Sequence, residues 1–130
     1  MKTLTAFFFL FFMAQPVFAD QIPVFIQNTT PRVELAQELA DGFTKVVLEE
    51  GEFLLTEDKF DKSFQVLIQA TNSFKDLYGV SVIFLVNSGT CIWYFDNSIF
   101  TTSPEQIPYE TKTLYAEMIR RLPEMKALLD

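Results

Sequence analysis

The 130 residues carry 17 Asp and Glu against 10 Lys and Arg, one Cys and no His, for a formal charge of −7. The acidic balance argues against nucleic acid and anionic lipid surfaces, which reward clustered Lys and Arg. Lack of His removes the usual general base, the commonest metal ligand and the middle member of a Ser-His-Asp or Cys-His system, which argues against a conventional hydrolase.

The amino terminus reads as an export signal. Lys2 is a positive n-region, Leu4 to Ala14 is an apolar run crowded with Phe, and Val17-Phe18-Ala19 has the small-residue spacing that signal peptidase reads. Cleavage is expected after Ala19, giving a signal peptide over 1–19 and a single domain over 20–130. The apolar run is short of the about 20 residues that a membrane-spanning helix needs, so no membrane span is expected after cleavage. No Cys lies near the junction to carry a lipid anchor, and the expected location is the periplasm or outside the cell. Losing 19 of 130 residues leaves 111, a normal size for one domain, and losing Lys2 leaves nine basic against 17 acidic residues, a formal −8. A single Cys cannot form an internal disulfide, so Cys91 is expected to be a buried, slow-reacting thiol.

Gln21–Asn28 is β-branched and apolar, with Pro23 tolerable near a strand start, and reads as the first strand. Thr30 and Pro31 suggest a helix N-cap and first helical position. Val33, Ala36, Leu39, Ala40, Phe43, Val46 and Val47 then recur at three and four residues, one apolar stripe that ends at Gly51. Glu52–Thr56 is a short second strand, and the charged segment Glu57 to Lys62 a connection. Ser63–Thr71 alternates, with Phe64, Val66, Ile68 and Ala70 on one face and Gln65, Leu67, Gln69 and Thr71 on the other. Asn72–Tyr78 is expected to link it to the next strand.

Gly79–Asp96 reads as a hairpin about an Asn87-Ser88-Gly89 turn, and carries the single Trp and Cys. Both of its faces are apolar, so each needs cover. Ser98–Thr102 would extend the last strand past a bend or bulge. Pro104 and Pro108 mark a helix start, Leu114, Tyr115, Met118, Ile119 and Leu122 its apolar face, and Pro123 its break, with a short helical turn to follow. The expected architecture is α+β: a mixed five-stranded sheet in the order β-α-β-β-β-β-α, with two helices mainly on one face. A parallel crossover joins the first two strands, an antiparallel meander follows, and the second face of the hairpin is left short of cover.

The run PVFIQNTT, a helix, EEGEFLLTED, a charged connection and FQVLIQAT resembles the α/β amino-terminal domain of the Tol-system periplasmic protein TolB and similar envelope modules. The resemblance covers about half of the mature chain. It implies a non-catalytic domain that binds other envelope proteins; this chain departs from the family in having no propeller.

Chemistry-bearing residues are few. Glu57, Asp58 and Asp61 are the densest carboxylates, the pair type a glycosidase would use, although a solvated turn explains them better. Their spacing lacks the alternating ligands and central Gly of an EF-hand loop, and there is no Gly-rich phosphate loop, so no cofactor or metal is expected. Aromatics that a small domain cannot bury are typical interface anchors, which makes Trp93, Phe95 and Phe100 the candidate binding residues, with plain burial in the core as the alternative that their strand positions favour. The leading expectation is an exported, non-enzymatic module that uses an apolar sheet face for self-association or a protein partner. The alternatives are an inhibitor or immunity-type protein against a basic partner, and a carboxylate-dependent hydrolase.

Overall fold

Period-two alternation in three stretches and a 3.6-residue stripe in two decide the layers of this chain. The computed structural model describes residues 21–129, so the expected signal and its cleavage point lie outside the described residues. The elements are β1 (Ile22–Asn28), α1 (Glu34–Glu50), β2 (Phe53–Leu55), β3 (Ser63–Phe74), β4 (Leu77–Asn87), β5 (Ile92–Thr102), a 3-10 turn (Pro104–Gln106), α2 (Ile107–Arg120) and α3 (Leu122–Leu129). They form the expected α+β fold about one five-stranded mixed sheet, ordered β2-β1-β3-β4-β5.

β1 runs parallel to both β2 and β3, while β3, β4 and β5 form an antiparallel meander. The expected meander therefore begins one strand late. β3 does not pair with β2; it crosses to the other edge of β1. The register makes that short crossing possible, because Leu55 at the end of β2 and Phe64 at the start of β3 both sit level with Val24. Residues 56–62 need only step across one strand. They do so on the side away from the helices, where the Lys59 carbonyl accepts hydrogen bonds from Gln65 Nε2 (2.7 Å) and Asn87 Nδ2 (3.1 Å).

The start of α1 differs from expectation. Thr30 does not cap it: its hydroxyl accepts the Ala70 amide at 3.0 Å, and its own amide goes to Asn28 Oδ1 at 2.9 Å. With the hydroxyl drawn into the sheet, Val33 takes the N-cap position without a side-chain bond. The far end is as expected: Gly51 adopts φ +72° and its amide bonds to the Val47 carbonyl. The β3–β4 connection is much tighter than the expected Asn72–Tyr78 linker. Both strands continue to Lys75-Asp76, where Lys75 takes φ +52° and Asn72 Nδ2 donates to the Lys75 carbonyl at 2.8 Å.

α1 and α2 lie side by side on one face. Leu39, Phe43 and Val47 of α1, Leu114 and Met118 of α2 and Met125 of α3 join Val24, Phe64, Val66, Ile68, Val82 and Phe84 in a single buried core. Gly42 lets the helices approach closely, since a Cβ there would stand 3.0 Å from Thr111 Cγ2. Pro123 ends the longer helix as expected, and α3 then folds Met125 fully into the core.

Candidate functional site

Strand parity places every sheet side chain on one of two faces. Helix-facing rows include Val24, Phe64, Val86 and Trp93, and then Val80 with Phe100. The opposite face has rows Phe25-Gln65-Leu85-Tyr94, Gln27-Leu67-Ile83-Asn97 and Gln69-Ser81-Ile99. Among the described residues no helix covers this second face. The crossing segment shields only its corner, over Gln65 and Asn87, which are the buried polar residues there.

Two features set the character of the bare face. It mixes apolar and neutral polar side chains: Tyr94 is 64% and Ile99 75% exposed, Leu67, Ile83 and Leu85 lie half-buried between them, and Gln27, Gln69, Thr71, Asn97 and Thr101 are exposed alongside. It is also uncharged. Across the five strands the single charged side chain is Asp96, and it faces the helices. A shallow trough of about 210 Å³ runs over this face between Gln69, Thr71, Gly79, Ser81 and Ile99. Its lining offers amides, hydroxyls and one Ile, and no general acid or base.

The register also decides where Trp93, Phe95 and Phe100 fall. All three lie on the helix side, so they do not form the uncovered hairpin face that alternation suggests. Trp93 faces the helices because it pairs with Val86, and past it a β-bulge, in which Leu85 pairs with Tyr94 and Phe84 with Asp96, leaves Phe95 as the extra residue. Beyond the bulge the even-numbered positions turn toward the helices, which brings Phe100 onto the same side as Phe95. Phe95 and Phe100 are partly buried against the core, Phe95 edge-on to Phe64 at 5.6 Å. Trp93, beside Val86 near the strand's start, remains 51% exposed. The sequence reading placed Leu67 on the outward face but did not single out Tyr94, Ile99, Ile83 or Leu67 as binding residues; the missing charge along all five strands is the signal that could have found them.

One polar cluster holds the bulge. The Arg121 guanidinium lies over the Phe95 ring at 4.4 Å, pairs with Asp96 and reaches Glu124 at 2.9 Å. Arg121 is held firmly charged, first by the hydrogen bond to Glu124 and then by the nearby acids, and a hydrogen bond from Arg120 keeps the Glu117 carboxyl below its usual range. The gap beside this cluster is about 10 Å³, no more than a single water could enter. Its partners are mutually satisfied, so it reads as a clasp between β5 and the α2–α3 corner.

The other candidates are dispersed. Asp58 and Asp61 are exposed and serve their own loop, Asp58 Oδ1 accepting the Phe60 amide at 2.9 Å and Asp61 Oδ2 the Thr56 hydroxyl at 3.0 Å. Among the described residues no three His, Cys, Asp or Glu side chains come together as metal ligands, and no helix is long and apolar enough to cross a membrane. Cys91 corrects the expectation of a buried thiol. It is exposed, because it closes the β4–β5 turn instead of entering the strand: its carbonyl accepts the Ser88 amide at 2.9 Å. A scan against protein-family models finds no match, and a search of curated proteins finds no relative.

Proposed function

We propose that this protein is an exported, non-enzymatic binding module of the bacterial envelope, and that it binds another protein surface through the sheet face opposite its helices. The observation that carries the reading is the uncovered face itself. A two-layer α/β domain normally leaves such a face polar and charged, whereas this one presents Tyr94, Ile99, Ile83 and Leu67 with no charge among the strands facing outward. Contiguous apolar faces on small soluble domains mark contact surfaces. The amino-terminal signal supports export, and the resemblance to envelope modules of the TolB type supports a binding role. The face offers no charge to attract a basic partner, which weighs against an inhibitor acting through it. Asp58 and Asp61 bonded into their own loop weigh against a carboxylate pair poised for hydrolysis.

The test is hydroxyl-radical footprinting of the native protein, first alone and dilute, then in a soluble extract of its own envelope. Tyr94 and Ile99 should lose reactivity in the extract, while Leu48 and Tyr109 on the helices, 64% and 65% exposed, should keep theirs. Equal labelling of Tyr94 and Ile99 in both conditions overturns the reading. Intact mass of the native protein should show a chain beginning at Asp20.

A further inference from the structure

Resting on that reading, we infer that the occupant of the bare sheet face is a second copy of this chain, apposed face to face in a four-layer helix–sheet–sheet–helix dimer. Charge distribution selects this partner. The protein carries a formal −7, yet among the described residues the outward side chains of the strands carry none of it; the acids lie on the helices, on the helix side of the sheet or in the loops, where the 56–62 crossing, with Glu57, Asp58 and Asp61 beside Lys59 and Lys62, borders one corner of this face. Two acidic molecules can meet at low electrostatic cost only through an uncharged surface, and this face is that surface.

Area is sufficient. Three strands at about 4.8 Å spacing and eleven residues at about 3.4 Å give β3, β4 and β5 a free surface of roughly 14 by 37 Å, about 500 Å² per copy. Two copies together bury about 1,000 Å², enough for a weak dimer and short of the about 1,200–2,000 Å² of a stable one. Aligned sheets pack about 10 Å apart, a distance that Ile83, Leu67 and Ile99 from both sides fill by interdigitation. Edge pairing is the competing route for a sheet, and here it is obstructed. β2 has three residues, and β5 is interrupted by the bulge at Phe95, with Asp96 drawn inward by Arg121.

Sedimentation equilibrium of the purified mature chain, residues 20–130, from about 1 to 100 µM so as to bracket moderate affinities, reads the association directly. A monomer–dimer equilibrium is expected, and it should tighten several-fold as salt rises from about 0.05 to 0.5 M, because screening relieves repulsion between two acidic bodies. Ile83→Lys at the centre of the face should shift the protein to monomer by at least tenfold in Kd, as should Ile83→Glu. Mixing the two should restore a dimer, which only a contact between like faces explains. Ile99→Lys is the second variant, since that side chain is 75% exposed and its replacement leaves the fold intact by circular dichroism. Leu48→Lys on the outer face of α1 should change nothing.

Dimerisation unaffected by Ile83→Lys and Ile99→Lys overturns the inference, as does open-ended polymerisation. A wild type that is monomeric throughout, but whose Tyr94 and Ile99 become protected in the envelope extract, overturns the second copy while the binding-module reading stands. A monomer that stays labelled in both conditions overturns both.

Discussion

Replacing Tyr115 by Phe removes an oxygen that the fold buries without a partner. Tyr115 projects from α2 toward the β2 end of the sheet, 8% exposed, with its ring edge-on to Phe53 at 5.9 Å and 88°. Its hydroxyl has no hydrogen-bond partner among the described residues. An unmatched buried hydroxyl costs about 1–3 kcal/mol, and Phe keeps the ring packing, so Tyr115→Phe should stabilise by about 1 kcal/mol. For a domain of about 100 residues that is a rise of roughly 4–8 °C in Tm. Burial also pushes the phenol pKa up to about 12, helped by the charges of Glu52 and Glu50 and opposed by the Glu52 backbone amide, which lies near the hydroxyl but outside hydrogen-bond geometry. A raised folded-state pKa contributes stability that is complete below the unfolded value of 10 and is lost as pH climbs through about 12. That loss amounts to at most about 3 kcal/mol, at 1.36 kcal/mol for each pH unit between the two values. The advantage of the Phe variant should therefore widen above pH 10. Urea titrations of both proteins at about pH 7, 9, 10 and 11 measure it. A variant less stable than wild type at pH 7, or a difference flat across this range, would refute the reasoning by showing that the hydroxyl is matched in the fold.

The remaining predictions are simpler. Cys91 is exposed in the β4–β5 turn, so a thiol reagent should label the native protein at close to the rate of the urea-unfolded chain; strong protection would show the turn to be occluded. Gly51→Ala should cost about 1 kcal/mol by denaturant titration, purely from φ +72°, since a Cβ there meets nothing within 4 Å. Trp93→Ser should cost about 1–2 kcal/mol, less than the about 3–5 of a core aromatic, and the single Trp should be open to acrylamide quenching, because the ring is 51% exposed.

What the sequence made legible is the part that local periodicity controls. Phe64, Val66, Ile68 and Ala70 all face the core as their alternation indicates, the α1 stripe is buried as spaced, and Gly51 ends that helix in the left-handed conformation. The departures share one physical origin, tertiary contacts overriding a local preference. Thr30 is a sound N-cap residue, but the Ala70 amide competes for its hydroxyl. Asn72, Ser73 and Asp76 read as a loop, yet pairing with Leu77 and Tyr78 extends both strands. The bend or bulge expected before Ser98 is present at Phe95, but IWYFDNSIF carries no Gly to fix its position, so the faces of Ile99 and Phe100 could not be read from alternation. The side of β1 on which β3 inserts is a matter of register, and nothing in residues 56–62 encodes it locally.

The bulge links these errors to the functional reading. A continuous β5 would put Trp93, Phe95, Asn97 and Ile99 on one side; the extra residue at Phe95 lets Ile99 turn outward beside Ser81 while Phe95 stays in, under the Arg121 guanidinium. The same irregularity interrupts the longer edge of the sheet and places the only strand charge, Asp96, where it pairs inward. One local distortion therefore has two consequences: it weakens edge-on assembly, and it completes an uncharged apolar face with Ile99. A chain with −7 overall that keeps its strands free of outward charge concentrates its adhesive surface on that face and leaves its acids to repel every other approach. On this account contact specificity resides in the register of β5, and moving Ile99 from that face would remove the surface even if composition were unchanged.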